Sequence, residues 1–160
     1  MADALYELAR ELIDRAYEQQ MQGDLELAAQ LYRRSIEMHP TAEAYTYLGW
    51  TYHFQGKLDE AIEQCKKAIQ LDPLYGNPYN DIGAYLIEQK RYDEAVPWLE
   101  MALDSPRYEA YHYPWYNLGR VFMAKELYSQ ASRCFRKSLE IHPGYELAVE
   151  ALRKVRLLLQ

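Results

Sequence analysis

One local pattern returns along the chain with a fixed spacing. Tyr45-x-x-Leu48-Gly49-x-x-Tyr52 is followed by Tyr79-x-x-Ile82-Gly83-x-x-Leu86 and by Trp115-x-x-Leu118-Gly119-x-x-Phe122, so the glycines stand 34 and 36 residues apart. A second pattern trails each copy: Ala61, Cys65, Ala68 and Pro73; Ala95, Leu99, Ala102 and Pro106; Ala131, Phe135, Ser138 and Pro143. A weaker first copy supplies Ala28, Tyr32, Ser35 and Pro40. A chain of such units does not close around one central core, because each unit buries its apolar face against its neighbours in the stack.

Within each unit the apolar residues fall at i, i+3, i+4 and i+7, the spacing of one helical face, and a Gly or Ala on that face lets a second helix approach closely. Each unit therefore reads as helix, tight turn, helix. Asp24, Asp59, Asp93 and Ser129 are the expected N-caps of the second helices. Those helices are expected to end before Pro40, Pro73, Pro106 and Pro143, which cannot continue them. Pro97 is expected in a first turn, where a missing amide costs little.

These motifs resemble the tetratricopeptide repeat over roughly residues 9–145, most closely at 42–75. The resemblance implies an all-α fold, a right-handed α-solenoid of helix-turn-helix repeats. Four repeats are expected, at 9–41, 42–75, 76–109 and 112–145, followed by a capping helix over 146–160, all in a single domain spanning 1–160. The first copy, Leu12-x-x-Arg15-Ala16-x-x-Gln19, lacks the aromatic, so that end is expected to pack less tightly and its helix to begin near Ala4. Residues Leu147, Ala148, Ala151, Leu152 and Val155 supply the capping helix with one apolar face.

Composition narrows the function classes. With 49% apolar and 26% charged residues the mixture is that of a globular domain. No apolar run approaches the ~18 residues of a spanning helix, so no membrane role is expected. Residues 1–111 carry net −10 and residues 112–160 net +4, within an overall charge of −6. Phosphate binding needs a basic face, so nucleic acid is not an expected partner. The same asymmetry suggests a second function class, a homo-oligomeric scaffold joining acidic N-terminal to basic C-terminal ends. The start of the chain does not read as a signal peptide, and Cys65 and Cys134 form no CxxC motif; a reducing, cytoplasmic location is expected.

No glycine-rich phosphate loop, HExxH or GxSxG motif is present, and no catalytic residue, metal site or cofactor is expected. His39 and His142 each precede a proline at a helix end, where the helix dipole favours them.

What remains is the inner wall of the solenoid, lined by the first helix of each repeat. Positions that the packing pattern leaves free are Tyr17; Thr46, Tyr47, Trp50 and His53; Asn80, Asp81 and Ala84; and Tyr116, Asn117 and Arg120. Rings alternate there with hydrogen-bonding side chains, a mixture suited to a peptide or helix of a partner protein. Glu43, Asp81 and Glu88 give that partner some basic character. Co-chaperone members of the family hold a carboxylate terminus with Lys, Asn and Arg on these helices; here the matching positions read Ile13, Tyr17, Tyr47, Asn77 and Asp81, or one repeat later Thr46, Trp50, Asp81, Tyr113 and Asn117. Neither set has the cations. Finally, the segment 104–115 carries extra residues and many rings, expected either at a binding rim or in the packing between repeats. Sixteen Tyr stand against three Phe, as suits a thin solenoid in which a ring is buried while its hydroxyl reaches water.

Overall fold

The computed structural model describes all 160 residues. Nine α-helices follow one another: α1 Ala2–Met21, α2 Leu25–Met38, α3 Ala42–Phe54, α4 Leu58–Leu71, α5 Asn77–Glu88, α6 Tyr92–Asp104, α7 His112–Ala124, α8 Tyr128–Ile141 and α9 Glu146–Leu158. Each helix packs on the next, and α1, α3, α5 and α7 also approach one another in a row. The result is an all-α helical repeat solenoid whose odd-numbered helices form one continuous wall.

The repeated glycines explain the pairing. A Cβ at Gly49 would lie 2.9 Å from the Ala61 carbonyl oxygen, at Gly83 2.4 Å from Leu99, and at Gly119 2.3 Å from Phe135. Each glycine therefore marks the closest approach of the two helices in its pair. In the first pair Ala16 takes that place and is wholly buried.

That first pair is not loose, contrary to the expectation from its sequence. Ala9, Ala16, Ala28, Tyr32 and Ser35 are all fully buried. Gln20, next to the position that lacks the aromatic, ties α1 to α2 and α3: its Oε1 accepts from the Tyr32 hydroxyl at 3.1 Å and from Thr51 at 3.0 Å. Ser35 donates to the Ala9 carbonyl at 2.8 Å, and Ser138 repeats that bond to the His112 carbonyl at 2.8 Å. Helix α1 begins at Ala2 instead of Ala4.

Only one of the four expected caps is in place. Asp24 accepts from the Leu27 amide at 3.1 Å. Helices α4, α6 and α8 start earlier, with Lys57, Arg91 and Leu127 at the cap and no side-chain bond there. Asp59, Asp93 and Ser129 fall inside the first turn, where the two acids still face the positive end of the helix dipole. The turns share a left-handed residue just before the cap: Gly23, Gly56, Lys90 and Glu126, with φ of 88°, 79°, 61° and 60°. Pro97 also departs from expectation. It is the sixth residue of α6, beyond the first turn, and its position on the exposed side leaves the unbonded Asp93 carbonyl to water.

The long 104–115 segment belongs to the packing at Tyr108, which is 7% exposed. Its ring occupies the space a Cβ on Gly76 would need, at 2.1 Å. Backbone bonds from Gly76 to the Arg107 carbonyl (3.1 Å) and from Arg107 to the Leu74 carbonyl (3.2 Å) fasten this loop to the α4–α5 loop. At the other end α9 buries Ala148, Leu152 and Val155, the last two packing with Ala131 and Phe135. No helix is long and apolar enough to cross a membrane.

Candidate functional site

The N-terminal half of the inner wall carries a run of rings. Tyr17, 42% exposed, meets Tyr47 edge-on at 5.9 Å; Trp50 lies 6.5 Å from Tyr47 and 5.1 Å from Phe54. Phe54, itself 52% exposed, extends the run and was not among the residues expected from sequence. Tyr47 also stacks at 5.6 Å on the buried Tyr32, so it serves the packing and the wall together. A hollow of about 330 Å³ opens between Arg10, Ile13, Asp14, Tyr17, Glu18, Glu43 and Tyr47.

Two expected groove residues of α3 are otherwise engaged. Thr46 is buried and bonds back to the Ala42 carbonyl at 2.7 Å. Although Thr46 lies outside the repeat pattern, its burial takes it out of the groove. His53 reaches across to α5, with Nε2 2.8 Å from a Glu88 carboxylate oxygen and its ring stacked on Tyr85 at 4.9 Å.

The centre of the wall is polar and directional. Arg120 donates to the Asn117 Oδ1 at 3.0 Å, and Asn117 Nδ2 donates to Asn80 Oδ1 at 2.9 Å. The Asn80 side chain in turn favours the ionised form of the Asp81 carboxyl next to it in sequence. Both asparagines are buried and bridge the repeats, so, contrary to the expectation from sequence, they are not free to grip a peptide backbone. Arg120 also lies 5.9 Å over the Tyr116 ring. The two amides thus hold the Arg120 guanidinium in place on the wall.

Asp81 is half-buried and makes no ion pair, whereas Glu88 has His53 and Glu43 has Arg107 at 3.9 Å. Burial, opposed by the Asn80 hydrogen bond, raises the Asp81 carboxyl to about 7. Its field is felt by Tyr75, Tyr85, Tyr108 and Cys65, all held in their neutral forms chiefly by burial. The Tyr85 hydroxyl is buried without a hydrogen-bond partner. Ala84, one turn on along α5, is half-buried. Arg107, which pairs with Asp72, lies 5.8 Å over the Tyr75 ring at the rim.

Toward the C-terminus the wall opens into a hollow of about 500 Å³, whose lining includes Tyr116, Arg120, Met123, Phe135, Leu147 and Ala151. Tyr116 meets Tyr145 edge-on at 5.2 Å and Phe135 at 5.8 Å. No group of three or more His, Cys, Asp or Glu side chains is arranged to hold a metal. Chemically, the wall offers rings, unpaired carboxyls and two hollows, one lined by charged side chains and one largely apolar, which is equipment for recognition.

Profiles of the tetratricopeptide repeat match residues 42–75, 79–105 and 113–145, and the chain belongs to that family. The type IV pilus assembly protein PilF of Pseudomonas aeruginosa is 31% identical over 121 residues, covering 75% of this chain and 48% of PilF. This chain thus spans about half the length of that relative. A solved PilF structure superposes with a TM-score of 0.88 at 25% identity, over 95% of this chain and 69% of that one. The first TPR of Spaghetti (RPAP3), bound to the HSP90 peptide SRMEEVD, gives 0.68 at 24% identity, over 74% and 93% respectively. PilW, a type IV pilus biogenesis factor, gives 0.87 at 20% identity, over 94% and 69%. The last two likenesses bear on the fold alone.

Proposed function

We propose that the protein is a non-enzymatic interaction module that holds a peptide or helix of another protein against the wall of α1, α3, α5 and α7. The observation that carries this reading is the row of rings from Tyr17 through Tyr47 and Trp50 to Phe54, which stays partly open to solvent beside a hollow. Large rings of this kind gain most when a partner's apolar side chain excludes water from them. The acids of the wall give that partner some basic character. Support also comes from PilF, a protein of an assembly process, 31% identical over 121 residues. A peptide of this contact area binds with a Kd of about 1–100 μM, since ordering the ligand offsets much of the gain.

Trp50→Ala is the sharper test, because Tyr47 is shared with the packing on Tyr32. Peptides selected on the protein from a displayed library of random 12-residue sequences should lose at least about tenfold in affinity for Trp50→Ala, while its helical circular dichroism is retained. Undiminished binding by the folded variant would count against the groove. A cytoplasmic, reducing location is part of the proposal, resting on the free and buried thiols of Cys65 and Cys134.

A second reading, head-to-tail self-assembly, is favoured by exposed apolar side chains at both ends: Leu5 and Leu8 on α1, and Val149, Leu157 and Leu158 on α9. The charge difference between the two parts of the chain would orient the copies. Light scattering at low and high salt decides it: a monomer of constant mass at both ionic strengths removes this reading.

A further inference from the structure

We propose that Asp81 determines specificity in the groove by receiving one basic side chain, Lys or Arg, of the bound peptide. The inference rests on the groove reading above and names the chemistry at its centre. Of the three acids that suggest a basic partner, Glu43 and Glu88 already have cationic or imidazole partners within this chain. Asp81 has none, although it is half-buried on the wall. Arg120 cannot fill the place, because its guanidinium is held on Asn117 and over Tyr116.

The surroundings suit a cation. Tyr75 and Tyr108, brought in by the two fastened loops, lie within the field of the carboxyl and stay neutral, so they add no cation that would compete for it. An unpaired, partly desolvated carboxylate is costly, and a peptide cation removes that cost on binding.

Affinity acquires a pH dependence from this arrangement. The groups coupled to Asp81 by charge are Cys65 from α4, Tyr75 from the α4–α5 loop, Tyr85 from α5 and Tyr108 from the α6–α7 loop, with the uncharged Asn80 beside it and Asn117 of α7 bonded to Asn80. None of these ionises between pH 6 and 8, so Asp81 is the member of the cluster that changes charge there. Since its carboxyl titrates near 7, a lysine peptide should bind about tenfold more tightly at pH 8 than at pH 6.

The test selects random 12-residue peptides in parallel on the wild-type protein and on Asp81→Asn, and measures each winner by titration calorimetry. Wild-type winners should share a Lys or Arg at one register; replacing it by norleucine should cost at least about tenfold on the wild type and little on Asp81→Asn. The pH effect should vanish in that variant. Winners that lose affinity to Trp50→Ala yet show no basic preference and no pH effect would overturn this inference and leave the groove reading standing. A library that yields no Trp50-dependent binder overturns both. Asp81→Asn removes an unpaired charge and is expected to fold, which its circular dichroism would show; Asp81→Glu, keeping the charge, should retain the basic preference.

Discussion

Asp81 illustrates how a single side chain carries both a cost and a use. Its carboxyl lies at about 7 in the folded protein against an ordinary 3.8, so the folded chain holds the proton more tightly than the unfolded one. Stability from this group is complete below about pH 4 and is lost as pH rises through 7. Asp81→Asn should therefore flatten the pH profile between 4 and 7 and raise stability at pH 8 by about 1–2 kcal/mol, discounted for partial solvent access; thermal melts across that range check it. A variant that melts lower than the wild type at pH 8 would contradict the assignment. Glu126 carries a different local cost, a left-handed backbone at φ 60° with a Cβ. Its equivalents Gly23 and Gly56 avoid this, so Glu126→Gly should stabilise by about 0.5–1 kcal/mol in urea unfolding.

At the scale of elements, the helix pairs were legible in the sequence and their exact starts were not. Gly49, Gly83 and Gly119 stand at fixed intervals and each turned out to be a helix contact, because close approach tolerates no Cβ and therefore leaves a visible mark. The caps left no such mark. Lys90 and Glu126 hold the same backbone conformation as Gly23 and Gly56, yet as residue types they look like ordinary surface charges. Likewise Asn80 and Asn117 read as free groove residues, since one helix considered alone cannot reveal that the next repeat will cover them and join them. Helix α9 follows the more legible rule, an apolar face without a following partner. Leu152, 6% exposed beside Phe135 and Val155, should cost about 2–4 kcal/mol when changed to Ala. Truncation after Gly144 should cost more, by exposing Ala131 and Phe135, with a lowered Tm in calorimetry as the readout; an unchanged Tm would mean that α9 caps nothing.

For the whole molecule, charge on the wall decides which peptides are admitted. The groove and its hollows present Asp14, Glu18, Glu43, Asp81 and Glu88, and the cations among them are few. Arg10 shares its hollow with three acids, and Arg120 is engaged by Asn117 and Tyr116. An acidic chain end brought to this surface would lose hydration without finding a free cation, and like charge along the wall would slow its approach. The HSP90 peptide SRMEEVD held by the RPAP3 domain has two glutamates, an aspartate and a terminal carboxylate against one arginine. It should show no binding to this protein below about 1 mM even at low salt, where electrostatics are least screened. A control peptide with lysines in place of those three acids and an amidated terminus should bind better, and more so at pH 8 than at pH 6. Micromolar, salt-sensitive binding of SRMEEVD in the same fluorescence titration would mean that a cation site on the wall has been missed, and the charge argument for the groove would fall with it.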